Sequence, residues 1–383
     1  MKTTTACLEC TLSGSGLYVG MELSEKKWKL AFATSPGQKP RLRDIDAWDL
    51  GRMKQEVART LERFKLPAET PVYCCYEAGR DGFAVHRALE AQGWHSLVMD
   101  SSSIEVSRRK RRAKADGLDA GKLVNLLARY QQGETKAFKV VRVPSREEED
   151  RRHWHRELKV LKDDRARISA RLRSWLKLHG IRWKGSLRGL GGRLEQLRDW
   201  EGQPLPEVHR ECLRLEAERW EDLSEQIEKL DRKRREWMKT HCNPVWEQVV
   251  QLMKLKGIGI ETAWYLTLEL FGWRRFENRR QLASLAGISP TPYDSGDGHH
   301  EQGITKNSNS QMRAILIEMA WSWVRYQPSS ALTLWWKRRF SEAGGRARKI
   351  GIVAVARKLL IALWKFLRFG EIPEGANLKL VDL

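Results

Sequence analysis

Between residues 17 and 131 the hydrophobic period switches between about 2 and about 3.6 residues in a fixed order, and few folds accept that order. Leu17-Tyr18-Val19-Gly20-Met21-Glu22-Leu23, the charged turn Ser24-Glu25-Lys26-Lys27, and Trp28-Lys29-Leu30-Ala31-Phe32-Ala33 read as a β-hairpin, with a third short strand at Arg41 to Ile45. Met53, Val57, Leu61 and Phe64 then recur at helical spacing until Pro67. Val72-Tyr73-Cys74-Cys75-Tyr76 reads as a buried strand ending on Glu77, followed by a helix through Val85 and Leu89, a strand at Ser96 to Met99 and a helix from about Asp116. Three antiparallel strands and then helix, strand, helix, strand, helix is the order of a ribonuclease H-like α/β layer, a mixed sheet covered by helices. We expect this layer over residues 15–135.

Beyond Pro144 the composition turns charged and helical. Leu158, Leu161, Ile168, Leu172 and Trp175 lie on a heptad seam interrupted by Arg165, and Leu213, Ala217, Trp220, Leu223, Ile227 and Leu230 form a second stripe. Gly180 to Pro206 reads as the connector between them. An all-α arm over residues 145–245 is therefore expected, as an antiparallel hairpin, an oligomerising coiled coil or a bundle on its own chain. From Val249 the pattern is short helices with Gly-containing turns, closed by an apolar helix from Ile352 to Phe366, which suggests a small helical C-terminal domain over residues 246–370.

Charge narrows the partners. Lys and Arg number 70 against 49 Asp and Glu, a net charge of +21, which suits a polyanion such as nucleic acid. Hydrophobic residues at 41% exclude a disordered chain, and no apolar run nears the ~20 residues that span a bilayer. The start of the chain lacks a signal-peptide core, so a cytoplasmic, nucleoid-associated protein with reduced cysteines is expected. Cys7-Leu8-Glu9-Cys10 has a zinc-like spacing without a second pair to complete four ligands.

The acids carry the chemistry. Glu22 closes the first strand and Glu77 the fourth, which are neighbours in a ribonuclease H-like sheet, while Asp116 and Asp119 are spaced to share a helix face. Four converging carboxylates need a compensating cation, and their hard oxygens suit Mg²⁺ or Mn²⁺ at a phosphodiester. Taken singly, each acid reads better as a helix cap or a surface charge than as a ligand. Just upstream, Arg108-Arg109-Lys110-Arg111-Arg112 offers a phosphate-binding strip, or a solvated loop. In the C-terminal part, Leu255-Lys256-Gly257-Ile258-Gly259 resembles the turn of a helix-hairpin-helix, where Lys256, Gly257 and Gly259 would let backbone N–H groups approach a DNA phosphate. Farther on, Ser289 to Gly296 and Gly303-Ile304-Thr305-Lys306 are polar and Gly-bearing, with Arg313 starting the next helix.

Taken together, Gly20-Met21-Glu22-Leu23-Ser24, Tyr76-Glu77-Ala78, Lys114 to Ala120, the Gly257-Ile258-Gly259 turn and Gly287 through Ser295-Gly296 to Lys306 resemble the DEDD transposases of bacterial insertion sequences, relatives of Piv-type DNA invertases and bridge-RNA-guided recombinases. The resemblance runs in order from Tyr18 to Arg348. It implies a RuvC-like domain binding Mg²⁺ through Glu22, Glu77, Asp116 and Asp119, a coiled-coil arm for subunit contact, and Ser295 as nucleophile. The family has Asp where this chain has Glu22, one methylene longer. The partners it implies are double-stranded DNA, a guide (bridge) RNA and further copies of the chain in a dimer or tetramer. Attack by Ser295 would conserve bond energy in a phosphoserine link, with Lys306 and Arg313 steadying the charge on the phosphate.

Tyr293 and Ser289 are rival nucleophiles, and by itself Ser295 reads as a turn serine. Two other functions fit the same residues: a RuvC-like structure-specific nuclease that does not need Ser295, and an inactive DNA- or RNA-binding descendant. His299-His300-Glu301 reads as a polar loop. Trp321, Trp323, Trp335, Trp336 and Trp364 read mostly as core, and Arg325, Lys337, Arg338, Arg339, Arg346, Arg348 and Lys349 as a second basic patch.

Overall fold

The computed structural model describes residues 16–79, 82–104, 116–240, 243–295, 298–304 and 310–381. The chain divides after Pro144 into two compact units.

The first unit is a five-stranded mixed sheet in the order β3-β2-β1-β4-β5. β1 (Leu17–Leu23) and β2 (Lys27–Ala33) form the expected hairpin, closed where Ser24 N–H donates to the Lys27 carbonyl at 3.2 Å. β3 (Arg41–Asp46) continues the antiparallel side. α1 (Leu50–Arg63) is capped by Asp49, whose carboxylate accepts from Arg52 N–H at 2.8 Å. It precedes β4 (Val72–Glu77), which returns parallel to β1. α2 (Ala84–Glu90) leads to β5 (His95–Met99), parallel to β4, and α3 spans Asp116–Gln131. This is a mixed α/β layer consistent with a ribonuclease H-like arrangement.

Strand alternation sets the two faces. Leu17, Val19 and Met21 pack with Trp28, Leu30, Phe32, Met53 and Val57, the core under α1. Tyr18, Ala31 and Cys75 pack with Ala120, Leu123, Val124 and Leu127 of α3. Cys74 and Cys75 are buried and free, and burial raises both thiol pKa values.

The second unit begins with α4 (Arg146–Asp150), capped by a Ser145–Glu148 box, and a hairpin of α5 (His153–Leu178) and α6 (Glu207–Thr240). The two stripes meet within the chain. Leu158 and Leu161 pack on Ile227, and Leu172 and Leu176 on Leu213 and Ala217. Arg165 divides these clusters: it sits 5.7 Å over the Trp220 ring and donates to Ser224 Oγ at 3.4 Å. The Gly180–Pro206 stretch is more than a connector, since a 3-10 turn at Gly191–Gln196 places Leu187, Leu190, Leu194 and Leu205 in the core at the hairpin's tip.

The remaining elements are α7 (Pro244–Met253), α8 (Ile260–Leu266) running into a π turn at Thr267–Phe271, α9 (Arg279–Leu285), strands β6 (Pro290–Ser295) and β7 (Gly298–Ile304), α10 (Ser310–Tyr326), α11 (Ala331–Phe340) and α12 (Gly345–Phe369). The β6–β7 hairpin corrects the expectation of helices and turns alone. The largest core among the described residues lies here, with Trp246 stacked on Trp264 at 4.8 Å and Trp323 fully buried. Trp321 departs from the core reading, being 42% exposed.

Two buried charge clusters fasten this region to the arm. Glu269, in the π turn, accepts from Arg156 at 2.8 and 3.1 Å, lies 2.9 Å from His155 Nε2, and pairs with Arg152 at 3.9 Å. Burial alone would raise its pKa, yet the His155 and Arg156 hydrogen bonds and charges outweigh that and bring it to about 2. Arg234 of α6, 1% exposed, bonds Asp231 and Glu261 at 2.5 Å each and lies 4.9 Å over Trp264. The expected arm and C-terminal domain thus fall in one compact unit.

Candidate active site

Parallel pairing of β1 with β4 runs from Leu17 opposite Val72 to Met21 opposite Tyr76. The next step along both strands sets Glu22 beside Glu77. Alternation puts Glu22 with Tyr18 and Gly20, and Glu77 with Tyr73 and Cys75, on the face that α3 covers. The approach of α3 is backbone to backbone. A Cβ on Gly20 would lie 2.4 Å from Val124 N and 2.6 Å from Ala120 O, so glycine is required there. On the neighbouring strand, Cys75 Sγ–H donates to the Leu123 carbonyl at 3.5 Å.

Asp119 directly precedes the residue that rests on Gly20, and Asp116 is the first residue of the helix. Three of the four acids have described side chains: Glu77 is exposed, and Glu22 and Asp119 are half-buried. The Asp116 side chain lies outside the described residues. Among the described residues, no three or more His, Cys, Asp or Glu side chains form a group that could hold a metal. The acids fit a divalent cation through their all-oxygen chemistry and through the register that puts two of them side by side.

In the second unit Ser295 ends β6, paired with Gly298, while Tyr293 pairs with His300 and Asp294 with His299. The side chains of these residues, the whole run Arg108 to Arg112, Lys306, and Cys7 with Cys10 lie outside the described residues. Arg313 falls in the first turn of α10, half-buried.

The turn between α7 and α8 separates the jobs of its two glycines. Gly257 has φ +91°, and a Cβ there would meet Tyr326 Cβ at 3.2 Å and the Ser322 carbonyl at 3.3 Å. Ser322 Oγ donates to the Gly257 carbonyl at 2.7 Å, and buried Gln327 ties the Lys256 carbonyl to Asn377. Gly257 is therefore a packing residue against α10. Gly259, the N-cap of α8, has no side-chain cap and open space around it, and Lys256 beside it is exposed.

Sequence reading overlooked the Glu269 cluster and a group of arginines around Glu56. Glu269 meets His155 and Arg156 only in the folded protein, as Glu56 does Arg41 and Arg43, whereas Arg52 and Arg59 lie one helical turn from Glu56 on α1.

A sheet whose parallel strand ends carry carboxylates, in a strongly basic chain, has the charge pattern of proteins that act on phosphodiesters. Comparison with known proteins narrows this. The family model described as "Transposase IS116/IS110/IS902 family" matches residues 250–334, from α7 through β6, β7 and α10 into α11. The "Putative transposase y4rJ" of Sinorhizobium fredii is 40% identical over 378 residues, covering 95% of this chain and 94% of that one. The "Transposase for insertion sequence element IS1533" of Leptospira borgpetersenii is 23% identical over 371 residues, 92% of this chain and 96% of its own. A "Pilin gene-inverting protein" of Moraxella bovis is 30% identical over 136 residues, 34% of this chain and 41% of that protein. The chain belongs to the IS116/IS110/IS902 family of insertion-sequence transposases, and it is a DNA recombination enzyme. Among the described residues no helix is long and apolar enough to cross a membrane.

Proposed function

We propose that this transposase cuts and rejoins double-stranded DNA through a covalent phosphoserine at Ser295, with Glu22, Glu77, Asp116 and Asp119 holding Mg²⁺ or Mn²⁺. The observation that carries this reading is the β1–β4 register, which sets Glu22 beside Glu77 on the face where α3 begins with Asp116 and Asp119. The bound cation would supply charge neutralisation at the scissile phosphate. In the exchange, the bond from Ser295 Oγ to phosphorus forms as the bond from phosphorus to one DNA oxygen breaks. The serine gives up its proton and the released strand end gains one. The bond count is unchanged, so resealing by the reverse step needs no ATP. Lys306 and Arg313 steady the charge on the phosphate. Arg108, Arg109, Lys110, Arg111 and Arg112, close in sequence to Asp116, and Lys256 with the exposed turn at Gly259 bind backbone phosphates.

Target choice by a bridge RNA, and assembly through the α5–α6 arm into a homo-oligomer, complete the reading. A RuvC-like layer, a coiled-coil arm and a helix-hairpin-helix-like turn are its structural expression.

The test is Ser295→Ala against Asp116→Asn. Ser295→Ala should abolish the protein–DNA adduct that survives denaturation and lower recombination on the order of 10³-fold or more, and Asp116→Asn should also block strand cleavage. Cleavage that persists in Ser295→Ala would replace this mechanism with a hydrolytic nuclease. RNA that stays on the purified protein at moderate salt and sequences as one discrete species supports guidance. Mixed RNA that washes off with salt would remove it.

A further inference from the structure

On the sheet face opposite the acids, one carboxylate gathers four guanidinium groups. Glu56 of α1 has a side chain only 2% exposed. Its Oε2 takes Arg41 Nη2 at 2.8 Å and Arg43 Nε at 3.3 Å, and its Oε1 takes Arg52 Nη2 and Arg59 Nη1, both at 3.1 Å. Two of these arginines come from the edge strand β3 and two from the next helix. Burial favours the neutral acid, but the Arg41 hydrogen bond and the charges of Arg41, Arg52 and Arg59 prevail and keep Glu56 ionised.

Arg41 supplies one buried positive charge for the one buried carboxylate, on its Oε2. It is 11% exposed, bonds both Glu56 and Thr60 Oγ1, and lies 5.6 Å over Phe32. Arg43, Arg52 and Arg59 have side chains 46%, 44% and 54% exposed, so they add little burial while repelling one another. One carboxylate cannot neutralise four cations, and the cluster keeps an excess of positive charge on a fixed frame. Arginines so held lose little further freedom on meeting a phosphate and present paired donors to it.

We propose that Arg43, Arg52 and Arg59, organised by Glu56, form a docking site for a phosphodiester backbone, separate from the acid-bearing face. It rests on the reading of the protein as a nucleic-acid enzyme and adds a second contact surface to it. The site reads backbone charge and no base sequence.

The experiment measures binding of the full-length protein to a duplex DNA and to an RNA hairpin of matched length across a salt series. Arg43→Gln with Arg59→Gln is compared with Lys229→Gln with Lys233→Gln, exposed residues of α6 that carry the same charge change. Arg41 and Arg52 remain on Glu56 in the first pair, and a urea midpoint checks its folding. Should the double variant not fold, Arg43→Gln and Arg59→Gln are read singly. For duplex DNA the log–log salt slope should become shallower by about 0.9 for each arginine removed, with a correspondingly smaller change if RNA is the ligand. Loss confined to one nucleic acid identifies the source of the backbone, and loss on both assigns the site to either. Binding equal to wild type, or an equal loss in the α6 lysine variant, overturns the proposal while leaving the enzyme reading intact. A wild-type protein that binds neither nucleic acid overturns both.

Discussion

Single residues at the joints of this protein are fixed by what they cannot give up. Glu269 is the clearest case, an acid whose partners are His155 and Arg156 of α5 and Arg152, the N-cap of that helix. Its folded pKa of about 2 lies below its ordinary 4.5, so its contribution is complete above about pH 4.5 and drains away as pH falls toward 2. Glu269→Gln should cost about 3 kcal/mol at pH 7, and the gap to wild type should close over that same acid window. Urea unfolding of both proteins at several pH values reads this directly, and a gap that does not change with pH would mean that packing rather than charge is lost. At this scale the sequence was informative where one residue type has one use. Gly20 could be singled out beside Glu22, but its need for contact with Val124 and Ala120 comes from a helix a hundred residues away.

At the level of elements the arm supports a sharper comparison. Leu172 is fully buried in the upper cluster of the α5–α6 hairpin, while Val160 on the same helix is 51% exposed. Leu172→Ala should lower stability by about 2–5 kcal/mol and Val160→Ala by under about 0.5 kcal/mol, as measured by chemical denaturation. The strands and helices of the first unit were legible because alternation and helical spacing are strong there, and each expected element lies within a few residues of its place. The β6–β7 hairpin was not legible. Pro290 and Pro292 argue against a strand, and the polar sequence around them has no alternation to outweigh that. The tip of the arm was misread for a related reason: its core leucines sit among glycines and prolines, which mark turns without saying that the turns pack on one another.

For the whole molecule, the boundary after Pro144 separates units that each have an apolar core. Fragments 16–144 and 145–381 should therefore each unfold cooperatively when expressed alone, and a fragment lacking a cooperative transition would show that its core is incomplete. Half of the candidate site was readable in advance, because strand order alone predicts that Glu22 and Glu77 become neighbours. The Glu56 cluster was only half readable: Arg52 and Arg59 reach Glu56 by helical spacing along α1, whereas Arg41 and Arg43 join it only when β3 lies along that helix. The same boundary makes the protein optically lopsided. Of its seventeen tryptophans only Trp28, Trp48 and Trp94 precede it. Intrinsic emission is thus mostly a record of the second unit, and events in the first register chiefly through Trp28, paired opposite Leu23, and Trp48, whose ring lies 5.3 Å from it.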